Sequence, residues 1–195
     1  MLVKSALGTV IASCALFLAS TVNAGLLQLP PNRDATVYQT GPCNQCVQDA
    51  CRSCNYNDQP ELLVSSQLRV QSNVLLNFNI PPVNYGCYLL LPAPNTGTSS
   101  VGSATQLTVY PAATSNWQEN TVTGENAPTR GNAVASRIIN PTTYQVIDVS
   151  SICQNSTTGS NVDVSLYLGI NDNSYVRYNS LNNGGKISLF VNQGS

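Results

Sequence analysis

The clearest pattern along the chain is an alternation with period two. Val74, Leu76, Phe78 and Ile80 alternate with Leu75, Asn77 and Asn79, which gives an extended segment one apolar and one mixed face and predicts a half-buried strand. The alternation returns in Val162, Val164, Leu166, Leu168 and Ile170 against Asp163, Ser165, Tyr167 and Gly169, and in Ile187, Leu189 and Val191 against Ser188, Phe190 and Asn192. Weaker strand signals cover 35–39, 61–65, 85–91, 106–110 and 144–149. Turn residues separate them, at Pro81-Pro82, 92–102, 124–131, Gly159-Ser160 and 182–185. No window after residue 24 carries the apolar period of 3.6 residues that marks an amphipathic helix. About eight to ten such strands predict an all-β fold, an antiparallel two-sheet β-sandwich of jelly-roll-like form. A Greek-key sandwich of immunoglobulin type is the competing arrangement, and Trp117 falls far from the spacing which that type requires of a core Trp beside a bridged cysteine pair.

The first 24 residues follow a different pattern. Lys4 precedes an apolar run from Ala6 to Leu18, which ends in the small-residue sequence Val22-Asn23-Ala24. This is the layout of a secretory signal peptide cleaved after Ala24. The run of about thirteen residues falls short of the roughly 18–20 needed to span a bilayer, and no later segment is longer and as apolar. Residues 25–195 are therefore expected to form a single extracellular β-sandwich domain with no membrane span.

Export changes how the cysteines are read. Cys14 leaves with the signal, and Cys43, Cys46, Cys51, Cys54, Cys87 and Cys153 remain, an even six that predicts three disulfides. The first four have the spacing C-x2-C-x4-C-x2-C, which also occurs in metal sites. An oxidising compartment and a chain without histidine favour disulfides instead and no metal. Proximity suggests local bridges that staple the N-terminal loop 43–54, and a long-range bridge from Cys87 to Cys153. Closing so long a loop contributes on the order of 4 kcal/mol in the chain-entropy model.

Charge narrows the function. Eight Lys and Arg stand against nine Asp and Glu, so no basic patch can form, which argues against nucleic acid and anionic membrane surfaces as partners. The absence of histidine removes the usual general base of Ser and Cys hydrolases. A carboxylate pair of the glycosidase kind is still available in principle, but none of the nine acids sits in a recognisable catalytic setting. The chain is thus read as a non-enzyme without a cofactor. Calcium is the one ion considered, at the oxygen-rich stretch Asn171-Asp172-Asn173.

Nine tyrosines and one tryptophan among many amides supply the chemistry of sugar recognition. Aromatic faces stack on the C–H faces of sugar rings, and planar polar side chains bind the hydroxyls. The densest cluster is Tyr175 and Tyr178 with Asn171, Asp172, Arg177 and Asn179, read as a ligand-binding loop. Trp117 is read first as a packing residue at the sandwich edge, with Glu119 as its hydrogen-bonding partner, and second as a ligand platform. Arg69 is expected to pair with Glu61 across strands. Asn155-Ser156-Thr157 is a glycosylation sequon, whereas Asn140-Pro141-Thr142 is blocked by proline.

Arg33-Asp34-Ala35, Val74 to Ile80, and Trp117 to Thr123 with Asn126-Ala127-Pro128, taken in this order, resemble the DNRLRE-type domains of carbohydrate-binding module family 96, β-sandwiches related to the disaggregatase repeat. Arg33-Asp34-Ala35-Thr36-Val37 is similar to the opening Asp-Ala strand, and Asn57 with Leu62-Leu63-Val64 to the Asn-x-Gly…Leu-x-Val segment. Val74 to Ile80 resembles the Leu-Leu-x-Phe-Asp strand. The most specific element is Trp117-Gln118-Glu119-Asn120-Thr121-Val122-Thr123 with Asn126-Ala127-Pro128 and Gly131, which resembles Trp-x-Glu-x-x-Val-Thr-Trp…Ala-Pro. Ile147 to Ser150 is similar to the Asp-Val-Thr strand, and Tyr175 to Ser180 with Leu189 to Val191 to the Tyr-x-Ser…Leu-x-Val ending. Gly124 stands where the group has its second tryptophan, the basic residue before Leu-Leu is missing, and the cysteine-rich loop is additional. The resemblance implies a secreted, non-catalytic module that recognises a cell-wall or extracellular polysaccharide. The alternative is a self-associating structural or adhesive component of a wall, coat or matrix, and a third reading is a secreted effector aimed at a host protein.

Overall fold

The computed structural model describes residues 25–41, 51–82, 86–102, 104–154 and 159–192. They contain the strands β1 (Leu26–Leu29), β2 (Arg33–Thr40), β3 (Glu61–Gln67), β4 (Val70–Ile80), β5 (Gly86–Leu91) and β6 (Gln106–Pro111). The later strands are β7 (Ala135–Ile138), β8 (Gln145–Asp148), β9 (Val162–Ile170), β10 (Tyr175–Asn179) and β11 (Ser188–Asn192). All pair antiparallel in two sheets, one ordered β1-β11-β5-β8 and the other β10-β3-β4-β9-β6-β7, with β2 also paired to β4. The chain crosses between the sheets from β1 to β2, β4 to β5, β5 to β6, β7 to β8, β8 to β9 and β10 to β11. The two-sheet sandwich expected from the alternating pattern is the architecture observed.

The alternation explains the main core. Leu76, Phe78 and Ile80 of β4 and Leu166 and Leu168 of β9 meet Leu89 and Leu91 of β5 and Leu189 and Val191 of β11 in one buried cluster. The pairing Val74↔Leu168, Leu76↔Leu166 and Phe78↔Val164 keeps these side chains on the same face of the seven-stranded sheet. Each such side chain, fully removed from water, contributes about 1.5–3 kcal/mol. Cys87 and Cys153 lie in this core and form the expected long-range disulfide, with their Cα atoms 6.4 Å apart across a sequence separation of 66. The half-cystine Cys153 is delivered by a one-turn helix, α1 (Ser150–Cys153). Asp148 starts that turn, its carboxylate accepting the Ser150 N–H at 2.9 Å and the Ser150 hydroxyl at 2.6 Å. These two bonds hold the Asp148 carboxyl below its ordinary range.

A second layer covers the other face of the seven-stranded sheet. Ala35 and Val37 of β2, Leu75 of β4, Tyr110 of β6 and Tyr167 of β9 are buried beneath Trp117 and Val122, which come from the segment between β6 and β7. This is why Leu75, on the mixed face of its strand, is fully buried. The Trp117 indole N–H donates to Ser165 Oγ at 2.9 Å, and Asn77 Nδ2 donates to the same oxygen at 3.1 Å. Glu119 is therefore not the tryptophan's partner; the ring turns down onto the sheet and finds Ser165. Arg33 holds the segment from the side, with its guanidinium 5.0 Å from the Trp117 ring centroid, donating to the carbonyls of Trp117 and Ser115 and paired with Asp163 at 3.5 Å.

Residues 51–55, at the described end of the cysteine-rich loop, dock on this covering segment. Cys51 and Cys54 are buried with Tyr56, whose ring lies 4.3 Å from that of Tyr38, and Cys54 is disulfide-bonded. Asn55 Nδ2 donates to the carbonyls of Glu119 and Val122, each at 2.7 Å, and Arg52 Nε donates to Gly124 O at 3.2 Å. Cys43 and Cys46, the 1–24 segment and the Asn155 sequon lie outside the described residues.

Candidate functional site

Strand β10 corrects one expectation. Residues 175–179, read from the sequence as a loop, pair with β3 in the register Tyr175↔Ser65, Arg177↔Leu63 and Asn179↔Glu61. Because side chains alternate along a strand, Val176 and Tyr178 enter the core while Tyr175, Arg177 and Asn179 face outward. Tyr178 is 0 % exposed, and burial pushes its phenol well above the ordinary range. With neither ring face open to a ligand, Tyr178 is a packing residue. Trp117, at 5 % exposure, likewise packs at the sandwich edge and offers no platform.

The outward face is organised around Glu61. Its carboxylate accepts Asn95 Nδ2 at 2.7 Å, the Thr98 hydroxyl at 3.2 Å and Arg177 Nη1 at 3.3 Å. Asn95 Nδ2 also donates to Asn179 Oδ1 at 2.8 Å. The expected Glu61–Arg69 pair is thus replaced by Glu61–Arg177, because the strand opposite Glu61 is β10. Asn95 and Thr98 belong to a segment laid along the outer edge of β10. Its backbone bonds are Asn95 N to Arg177 O at 2.8 Å, Ser100 N to Tyr175 O at 2.9 Å and Tyr175 N to Ser100 O at 3.1 Å. The result is a groove lined by Glu61, Leu63, Ser65, Thr98, Tyr175 and Arg177. It sets one half-exposed tyrosine ring beside planar polar groups already fixed by hydrogen bonds.

The structure divides the residues that the sequence grouped together. Tyr175, Arg177 and Asn179 share the β10 face, whereas Asn171 and Asp172 lie in the turn between β9 and β10 and line a neighbouring cleft. Among the described residues no three His, Cys, Asp or Glu side chains gather as a metal site, and no helix is long and apolar enough to cross a membrane. Sequence reasoning missed Asn95 and Thr98. They stand 34 and 37 residues from Glu61 and reach it only through sheet pairing, so local spacing carries no signal for them.

This arrangement can stack a sugar ring on Tyr175 and exchange hydrogen bonds with its hydroxyls. The chain is similar to an uncharacterized secreted protein of Arthroderma benhamiae, 28 % identical over an alignment of 148 residues that covers 73 % of this chain and 73 % of the relative. The family model for carbohydrate-binding module family 96 matches residues 29–193, from the end of β1 past the end of β11. With a match over nearly the whole sandwich, the chain belongs to carbohydrate-binding module family 96.

Proposed function

We propose that this protein is a secreted, non-catalytic module that binds a cell-wall or extracellular polysaccharide across the outward face of β10 and β3. The observation that carries the proposal is membership of a carbohydrate-binding family combined with an outward tyrosine over a fixed amide, carboxylate and guanidinium network. Export is supported by the signal-like first 24 residues and by the similarity to a secreted protein. Glu61 serves as a hydrogen-bonding anchor. Its carboxylate is held by three donors and neutralised by Arg177, which suits neither a nucleophile nor a proton carrier. The chain's nearly balanced charge favours a neutral or weakly charged polymer.

The test is retention of the oxidised protein by a panel of insoluble and soluble wall polysaccharides. Saturable retention by a monomer is expected, and Tyr175→Ala should weaken it about tenfold while leaving the circular dichroism and melting temperature unchanged. Retention unaffected by Tyr175→Ala would move the site off this face. No retention by any polymer, with assembly into large species, would replace the binding module with a structural coat or matrix protein.

A further inference from the structure

A second depression adjoins the Tyr175 groove. It is lined by Ser65 and Ser66 of β3, Asn73 of β4, Asp172 and Asn173 of the β9–β10 turn, and Arg130 of the covering segment. Ser65 lines both depressions. It is a small divide, because its hydroxyl is bonded to Val70 O at 2.7 Å. The turn carrying Asp172 is fixed against β3 beyond this point by Ser66 N to Ser174 O at 3.2 Å. The Tyr175 groove follows β3 from Glu61 and meets the second cleft at Ser65, so the strand alone accounts for about 13 Å of length at its usual rise. That exceeds a single sugar ring, and the cleft extends it further.

The chemistry of the second cleft differs from that of the first. Ser66 Oγ and Asp172 Oδ1 lie beneath its lining, closed to solvent and without a hydrogen-bond partner in the protein, whereas Arg130 and Asn173 are the exposed polar side chains that a ligand in the cleft can reach. The Arg130 guanidinium lies 4.2 Å from the Tyr110 ring centroid and donates to Asn73 Oδ1 at 3.3 Å. It is thus held in place with donors to spare, since a guanidinium carries five N–H groups. Arg52 and Arg130 are balanced by Glu125 and Asp172 around the cleft, so the site offers hydroxyl-binding groups without a net field.

We propose that the two depressions form one trough which takes a neutral oligosaccharide lengthwise. Sugar units over Tyr175 are stacked, and units beyond Ser65 are hydrogen-bonded by Arg130 and the Asp172 turn. The proposal rests on the glycan-binding reading and adds to it a preference for chain length.

Its test is calorimetric titration with laminari-, cello- and chito-oligosaccharides graded from disaccharide to hexasaccharide, using the wild type, Arg130→Ala, Asn173→Ala and Tyr175→Ala. Arg130 and Asn173 are exposed, and unchanged melting temperatures confirm that their variants fold. In the wild type, affinity should rise about tenfold from the shortest to the longest member of the series that binds. Arg130→Ala and Asn173→Ala should remove most of that gain while leaving the shortest ligand unaffected; Tyr175→Ala should weaken every length. Affinity independent of length, or a length gain that survives both cleft variants, overturns the trough but leaves the Tyr175 site standing. Absence of binding by the wild type to every series overturns both.

Discussion

Asp34 sits at 3 % exposure with its Oδ2 accepting the Leu181 N–H at 2.6 Å. Burial pushes its carboxyl up to about 6; the Leu181 amide pulls in the other direction, and the nearby Glu119 charge adds to the rise. A carboxyl whose folded value exceeds its unfolded value of about 3.9 favours the folded state when protonated. Its contribution is therefore fully present below about pH 4 and is lost as pH rises through 6. Asp34→Asn keeps an oxygen for the Leu181 amide and removes the buried charge. The variant should be more stable than wild type by about 1–3 kcal/mol at pH 7, with the difference shrinking toward pH 4. Urea midpoints of both proteins across that range check this, and a difference that does not change with pH would assign the burial no electrostatic cost. The residue scale is also where the sequence was least legible. Tyr175 and Tyr178 are both tyrosines in one polar-rich stretch, and only the register with β3 decides that the first faces solvent and the second the core.

At the scale of elements, β2, the short turn at Arg52 and the covering segment are fitted to each other at Gly124. A Cβ there would strike the Tyr38 carbonyl and come within 2.7 Å of Arg52 Cγ, and Arg52 Nε donates to the same glycine's carbonyl. The glycine in place of the family-like second tryptophan thus has a physical reason, since Arg52 and the β2 residue Tyr38 occupy the space that a large side chain would need. Gly124→Ala should cost about 1–3 kcal/mol by forcing the segment off the sheet. Trp117→Ala, which empties the small core over Leu75 and Tyr167, should cost about 3–5 kcal/mol. Denaturant melts measure both, and indole fluorescence in Gly124→Ala should report a more exposed Trp117; an unshifted emission spectrum would mean the loop tolerates the methyl group. Strongly alternating elements were legible: β9 spans Val162–Ile170 as its pattern predicts. The short edge strands β1 and β7 were not, because a strand exposed along most of its length needs no alternation. Nor was β10, whose outward Tyr175, Arg177 and Asn179 and flanking asparagines look like a loop.

At the scale of the whole molecule, the sandwich separates what stabilises it from what it presents to a ligand. The Cys87–Cys153 bridge spans 66 residues and ties β5 of the four-stranded sheet to α1, whereas the Tyr175 groove and its neighbouring cleft lie on the seven-stranded sheet. The bridge acts mainly by shrinking the unfolded ensemble, so its loss lowers stability without rearranging the distant face. Replacing both cysteines by alanine should cost about 2–5 kcal/mol. A double variant avoids reduction by thiols, which would also open the bridge at Cys54. Below its lowered melting temperature it should bind polysaccharide as the wild type does, because β3, β10 and the 95–100 segment hold Tyr175 through their own hydrogen bonds. An unchanged midpoint would remove the bridge from the stability of the fold. A folded variant that loses binding would show that the two sheets are coupled through the core, and that the groove depends on the bridge.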